Sequence, residues 1–157
     1  MRNERPVLPS VLDRLIDLEP KLREDAPISR AQSIRELKSS LQRDLEWLLN
    51  TRRIAEELPE SAAELRNSLH YYGLPEFTQV GISTAAEELS QHMESVIKTF
   101  EPRLADVRVA MHPVEGTARI AHFTIEAILL IDPLPERVTF DTVLELTKGE
   151  YRVRGES

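Results

Sequence analysis

The chain has 157 residues, 41% of them hydrophobic and 30% charged, and 27 acidic against 20 basic side chains give a net charge of −7. This length predicts one domain, and the absence of cysteine excludes a disulfide scaffold, a thiolate metal site and a cysteine nucleophile. The acidic balance argues against a broad nucleic-acid surface, and no apolar run approaches the roughly 20 residues of a membrane span.

A short amphipathic helix is predicted near the N-terminus, between proline-rich flanks. Ser10 can cap it, and Leu12, Leu15 and Ile16 form one apolar stripe. Because two turns of helix are marginal in water, this helix must dock, either on its own domain or on a partner. We therefore separate an N-terminal arm over residues 1–28 from a single domain over residues 29–157, and both docking alternatives stay open.

Three longer helices are predicted next, each from apolar residues at helical spacing. The first covers residues 29–50, with a capping box at Ser29 and Gln32 or at Ser33 and Glu36, and its inward residues are Ile34, Leu37, Leu41, Leu45 and Leu48, widened by Trp47 and Leu49. The second covers residues 62–72, with Ser61 as its cap and Gly73 as its stop. Its inward-facing residues are Leu65, Leu69 and Tyr72. The third covers residues 84–100, is capped by Thr84, and ends before Pro102.

After residue 104 the apolar period changes from 3.6 to 2, which is typical of strands with one buried face. The alternation predicts strands over residues 105–111, 123–131 and 138–146, with a possible return strand through Tyr151 and Val153. The middle strand is also apolar at Ile128 and Leu130, which predicts that both its faces are covered there. The fold class is therefore α+β: N-terminal helices followed by a small antiparallel β-meander, with the helices packed on one face.

The most unusual group of residues is Glu101-Pro102-Arg103-Leu104, between the last helix and the first strand. Pre-proline geometry favours an extended Glu101, and side chains two apart in an extended chain share a face. The pattern therefore predicts a Glu101–Arg103 ion pair on the core side of the sheet, although a frayed strand with both groups in solvent is the alternative. A second candidate site is the helix end at Asn50, Arg52 and Arg53, whose alternative is a solvated last turn.

These segments together resemble a known family. The ordered set Ser10–Leu15, Leu45–Arg53, Tyr72–Pro75 and Phe100–Leu104 is similar to the TssE proteins of bacterial type VI secretion. These in turn resemble the small baseplate wedge protein of contractile phage tails, a family with a lysozyme-related label. The Glu-Pro-Arg triplet at residues 101–103 is the family signature.

The resemblance implies a cytoplasmic structural subunit in the baseplate assembled at the inner membrane. Its implied partners are the wedge subunits TssF, TssG and TssK and the sheath proteins TssB and TssC, whose polymerisation begins on this platform. The implied assembly residues are Glu101, Pro102, Arg103 and Leu104, the helix end at Asn50, Arg52 and Arg53, and the arm residues Leu12, Leu15 and Ile16. No enzymatic activity, cofactor, metal, nucleic acid or membrane insertion is expected.

Three rival hypotheses remain. A glycan hydrolase normally needs two placed carboxylates, one of them protonated, whereas an arginine beside Glu101 favours its charged form. A metal-binding module would rest on His112 and His122 on adjacent strands, without a third ligand. A free-standing adaptor outside any contractile machine would use the same helices and sheet, and would co-purify with different proteins.

Overall fold

Helices occupy the first two thirds of the chain and strands the last third. The computed structural model describes residues 7, 10–16, 29–53, 60–75, 82–112 and 120–155. The α-helices are α1 (Val11–Leu15), α2 (Arg30–Asn50) and α3 (Ile82–Phe100), and two 3₁₀ helices lie between α2 and α3, at Glu60–Asn67 and Leu69–Tyr71. The strands are β1 (Leu104–Met111), β2 (Ile120–Leu129), β3 (Glu136–Glu145) and β4 (Glu150–Gly155).

The strands form one antiparallel sheet in the order β1-β2-β3-β4. The return strand predicted through Tyr151 and Val153 is therefore confirmed as β4, and Gly149 supplies the positive φ of 67° in the turn before it. The α+β class is confirmed, with α2 packed near β4 and α3 near β1. Most of the predicted arm, residues 1–6, 8–9 and 17–28, lies outside the described residues.

Helix α2 has the predicted apolar face. Ser29 is the cap, because its side chain accepts from the Gln32 amide, and this selects one of the two predicted capping boxes. The predicted stripe is buried except for the partly buried Ile34, and Leu49 joins it. The prediction was wrong for Trp47, which is 51% exposed because it lies just beyond the edge of that stripe.

The predicted α-helix over residues 62–72 is wrong. The chain forms two 3₁₀ helices instead, and Ser68 separates them, since its hydroxyl donates to the Leu65 carbonyl and accepts from the His70 amide. With three residues per turn, side chains four apart no longer share a face. Leu65 and Leu69 are consequently 40% and 83% exposed, and not buried as predicted.

Helix α3 begins at Ile82, two residues before the predicted cap at Thr84, and ends at Phe100 as predicted. Its buried side is the predicted apolar face: Leu89, Met93, Val96 and Ile97 are buried, and Phe100 is partly buried. Phe100 contacts Tyr72 edge-on, with ring centroids 5.3 Å apart. This contact attaches the second 3₁₀ helix to the end of α3, just before the Glu-Pro-Arg triplet.

One face of the sheet and the helices enclose the hydrophobic core. Fully buried sheet residues include Val107, Phe123, Ile125, Phe140 and Val153. A bulge in β1, at Asp106 and Val107 opposite Ala127, interrupts the predicted alternation, and Asp106 has a positive φ of 49°. Leu104 is therefore buried on the same side as Val107, whereas simple alternation would put them on opposite faces.

The second face of β2 is not covered as predicted. Leu130 is 51% exposed and Ile128 is partly buried. β2 is nevertheless an inner strand, paired with β1 and β3 along its length. Its apolar outer residues therefore do not mark a second layer within the described part of the chain.

Candidate functional site

The Glu-Pro-Arg triplet forms a turn between α3 and β1. The Glu101 amide still donates to the Ile97 carbonyl (2.8 Å), and the Leu104 amide donates to the Glu101 carbonyl (3.1 Å). Pro102 is exposed at the second position of this turn, where its fixed φ is favoured. The prediction of a continuous extended segment is wrong, because the chain reverses here before β1 begins at Leu104.

The side chains of Glu101 and Arg103 nevertheless form the predicted ion pair. Arg103 Nε lies 2.5 Å from Glu101 Oε1, and Nη2 lies 2.5 Å from Oε2, so both carboxylate oxygens are bound. Glu101 is 5% exposed and Arg103 is partly buried. The pair does not follow the strand alternation on which the prediction rested; it is directed at α2.

Helix α2 supplies two further partners for Arg103. Its Nη1 donates to Ser40 Oγ (3.2 Å) and its Nη2 to Asp44 Oδ2 (2.7 Å). Burial alone would lower the pKa of Arg103, but the hydrogen bonds and charges of Glu101 and Asp44 raise it above its usual value. Arg103 therefore fastens the turn to the middle of α2.

The ion pairs continue from Asp44 to the N-terminal arm. Asp44 Oδ1 accepts from Arg43 Nε (3.1 Å) and Nη2 (2.9 Å), and Arg43 Nη1 lies 2.8 Å from Asp13 Oδ1 on α1. Alternating charges thus run without a break through Asp13, Arg43, Asp44, Arg103 and Glu101. We call this series the charge chain.

A groove lies beside the charge chain, between α1, α2 and the turn. Its walls include Leu12, Trp47, Tyr72 and Pro102. Arg43 lies over the Trp47 ring at 5.1 Å. Burial, followed by the charges of Asp44 and Glu101, raises the pKa of Tyr72.

The predicted arm residues are exposed. Leu12, Leu15 and Ile16 are 40%, 78% and 45% exposed, and α1 has no buried residue. Ser10 caps α1 within the arm, and the ion pair between Asp13 and Arg43 attaches α1 to α2. A second attachment is the Val7 amide, which donates to Ser33 Oγ (3.0 Å) while its side chain packs on the core.

The predicted site at the end of α2 lies apart from the turn. Arg52 donates to the Gly149 carbonyl between β3 and β4 (2.7 Å), and Arg53 lies over the Tyr71 ring at 4.7 Å. Asn50 bonds with both its amide nitrogen and its oxygen to the backbone of Tyr151 (2.8 Å each). These three residues contact β4, the preceding turn and the second 3₁₀ helix.

Asn50 belongs to a row of α2 side chains that covers the outer edge of β4. Gln42 Nε2 donates to the Val153 carbonyl (2.9 Å), Glu46 Oε2 accepts from the Val153 amide (3.1 Å), and Asn50 binds Tyr151. The Gly155 amide also donates to Gln42 Oε1 (3.4 Å). Spaced four residues apart, Gln42, Glu46 and Asn50 take the place that a neighbouring strand would occupy. We call them the α2 ladder.

The opposite edge of the sheet, β1, has a different cover. Among the described residues, Glu94 of α3 bonds to this edge: its Oε1 accepts from the Val109 amide (2.9 Å) while its other oxygen contacts Lys98 (3.1 Å). Burial would raise the pKa of Glu94, but the Val109 amide and Lys98 lower it overall. Within the described ranges, helix side chains thus cover the two sheet edges unequally, with bonds to three residues of β4 and to one of β1.

The two strand histidines contact each other through the backbone. The His112 amide donates to the His122 carbonyl (2.8 Å), and His112 Nε2 lies 2.7 Å from Thr124 Oγ1. Within the described ranges, no group of three or more His, Asp or Glu side chains could hold a metal ion. In the same ranges, no helix combines the length and apolarity needed to cross a membrane.

Several residues of the site were missed from the sequence. Asp44, Arg43 and Ser40 surround the predicted ion pair, and Gln42 and Glu46 complete the α2 ladder. The available signal was the spacing of four, which places Ser40 with Asp44 on one line of α2 and Gln42, Glu46 and Asn50 on another. That spacing predicts shared faces, but not the partners opposite them.

Comparison with known protein families gives a match to this chain. The family model described as baseplate wedge protein gp25 matches residues 35–134, a range that includes most of α2, all of α3, β1 and β2, and the Glu-Pro-Arg turn. No curated protein and no solved structure matches the chain.

Proposed function

Since this chain belongs to the baseplate wedge protein gp25 family, a structural role in a phage-like baseplate follows, and we propose that it serves as the TssE-type subunit of a type VI secretion baseplate. In this role it joins a wedge with TssF, TssG and TssK in the cytoplasm at the inner membrane. It then provides the platform on which the TssB–TssC sheath begins to polymerise.

The unequal cover of the two sheet edges supports a template role and carries this proposal. A strand edge offers unpaired amide and carbonyl groups to an extended segment of another chain. The α2 ladder occupies those groups on Tyr151 and Val153 of β4, whereas a single carboxylate, that of Glu94, bonds to Val109 of β1 among the described residues. The sheath segment therefore adds beside β1.

The Glu101–Arg103 pair acts in assembly and not in catalysis. Both oxygens of the Glu101 carboxylate are bound by Arg103, which leaves it poorly suited to deliver a proton to a substrate. Arg103 instead joins the start of β1 to α2 through Asp44. This link keeps β1 in the position that the first sheath ring requires.

Site-specific cross-linking tests the template edge. The chain has no cysteine, so a single cysteine can be placed on exposed residues of either edge strand, at Ala110→Cys in β1 or Arg154→Cys in β4. In cells that assemble the machine, Ala110→Cys should cross-link to a sheath protein and the matched Arg154→Cys should not. Cross-links from Arg154→Cys alone would contradict the edge assignment.

A second experiment tests the function itself. Purified with its cellular partners, the chain should bring down wedge subunits, and Arg103→Ala should stay soluble yet fail to start sheaths. Normal sheaths with Arg103→Ala would refute the role of Arg103. Recovery with unrelated partners would favour an adaptor. A hydrolase would be favoured if the purified chain released reducing sugars from peptidoglycan and Glu101→Gln abolished this release.

A further inference from the structure

The charge chain connects two parts of the molecule that are far apart in sequence. One end is the arm, through Asp13 on α1, and the other is the Glu-Pro-Arg turn, through Glu101. Each neighbouring pair is within hydrogen-bond distance, from 2.5 to 2.9 Å at its closest approach. The arm and the turn therefore share a continuous electrostatic path across α2.

Asp44 is the link in the middle of this path. Its two oxygens bind different arginines: Oδ1 binds Arg43 on the side of the arm, and Oδ2 binds Arg103 on the side of the turn. A change in either arginine alters how strongly the same carboxylate holds the other. Asp44 acts on the arm through Arg43, which pairs with Asp13.

The arm is suited to release. Its five-residue helix is too short to be stable alone, and α1 has no buried residue. The Asp13–Arg43 contact holds it against α2, while its apolar residues Leu12, Leu15 and Ile16 stay exposed. An element with few buried apolar contacts opens at a low free-energy cost.

We propose that Asp44 is a positioning residue that couples the arm to the Glu-Pro-Arg turn, so that release of the arm and rearrangement of the turn influence one another. A partner that captures the arm then changes the affinity of the turn for its own partner, and the reverse holds by thermodynamic reciprocity. The coupling belongs to the folded chain and is independent of which machine the protein serves.

A double-mutant cycle on the full chain tests this coupling. Arg14 in α1 is exposed, so trypsin cleavage after Arg14 reports opening of the arm, and cleavage after Arg108 within β1 reports unfolding of the whole domain. Asp44→Asn should speed cleavage after Arg14 at least about fivefold relative to cleavage after Arg108. In an Asp13→Asn background, Asp44→Asn should add little, because the path is already broken. Glu126→Gln, on the exposed sheet face, is the matched control.

The reverse direction gives a second readout. Asp13→Asn should speed hydrogen exchange of the Leu104 amide, which closes the turn on the Glu101 carbonyl. Arg103→Lys keeps the charge but loses the paired contact. Its rate of trypsin cleavage after Arg14 should lie between those of the unmodified chain and Asp44→Asn. The proposal is overturned if Asp13→Asn and Asp44→Asn have additive effects on cleavage after Arg14, or if cleavage after Arg108 rises equally. It is also overturned if Asp13→Asn leaves the exchange rate of the Leu104 amide unchanged.

Discussion

At the residue scale, the buried charge of the described residues lies at one point, the Glu-Pro-Arg turn. Glu101 is 5% exposed and depends on Arg103 for both of its strong hydrogen bonds. A buried ion pair adds little stability over apolar residues of the same volume, but removal of one partner is costly because it leaves a buried charge alone. The pair therefore contributes geometry more than net stability.

This asymmetry predicts a large effect for Arg103→Met. The variant should remain folded but lose about 3 kcal/mol of the free energy of unfolding, because Glu101 stays buried without its partner. Urea unfolding followed by circular dichroism measures the change. Arg108→Met, at an exposed position of β1, is the control and should change stability by less than about 0.5 kcal/mol. Equal effects of the two variants would contradict the assignment.

A pH dependence is expected at Glu94. Its pKa in the folded protein lies below the ordinary value of 4.5, so its charged form stabilises the fold above pH 4.5, and this contribution is lost as the pH falls through the folded pKa. Glu94→Gln should therefore flatten the decline of the free energy of unfolding between pH 6 and pH 3.5. Urea unfolding at the two pH values measures this, and an unchanged decline would contradict it.

At the element scale, α2 organises the molecule. One side carries the leucines of the core, a second binds the Glu-Pro-Arg turn through Ser40 and Asp44, and a third carries the α2 ladder along β4. A helix that covers a sheet edge protects that edge from unwanted strand pairing. The ladder thus directs strand addition to the other edge.

The ladder predicts a local effect for Asn50→Ala. The amide and carbonyl of Tyr151 lose their partner, which should cost about 1 kcal/mol and speed exchange of the Tyr151 amide more than exchange of amides in β2. Amide hydrogen exchange by NMR measures the difference. Ser39→Ala, exposed on the same helix, should leave that amide unchanged, and a uniform rise over all strands would contradict the prediction.

The connection after α2 depends on Gly73. Its φ is +100°, and an added Cβ would lie 2.2 Å from the Thr51 carbonyl oxygen, a backbone atom. Gly149 also has positive φ, but its added Cβ would meet only the end of the Arg52 side chain, at 3.2 Å. Gly73→Ala should therefore lower the melting temperature markedly more than Gly149→Ala, which should cost about 1–2 kcal/mol. Equal losses would contradict this comparison.

At the scale of the whole molecule, the arm and the domain are held together differently. The domain has a continuous hydrophobic core between helices and sheet, whereas α1 is attached by hydrogen bonds and one ion pair, with Val7 as an additional apolar contact. The division into an arm over residues 1–28 and a domain over residues 29–157 stays a prediction that these contacts favour.

Deletion of residues 1–20 tests that division. The remaining chain should unfold cooperatively, with a denaturant slope close to that of the full chain, because α1 contributes no buried residue. Association with wedge partners should weaken, since Leu12, Leu15 and Ile16 are absent. An aggregated or non-cooperative product would show that the arm is part of the core.

The sequence by itself determined the elements with strong periodicity. Local features could be predicted, because each depends on neighbours within about ten residues. They are the leucine spacing of α2, the apolar face of α3, the left-handed stop at Gly73 and the alternation of the strands. The ion pair of Glu101 and Arg103 was also predicted from close neighbours, since only Pro102 stands between the two residues. The bulge at Asp106 and the 3₁₀ helices were not predicted, because both replace the expected apolar period with another.

Only the tertiary structure decided which faces meet. Arg103 binds Asp44 from 59 residues away, and the α2 ladder binds β4 from more than 100 residues away. Periodicity sets the direction of a side chain relative to its own helix or strand, but the packing of α2 against both the turn and β4 sets what lies opposite. The charge chain and the unequal sheet edges arise from that packing, and the functional proposals depend on them.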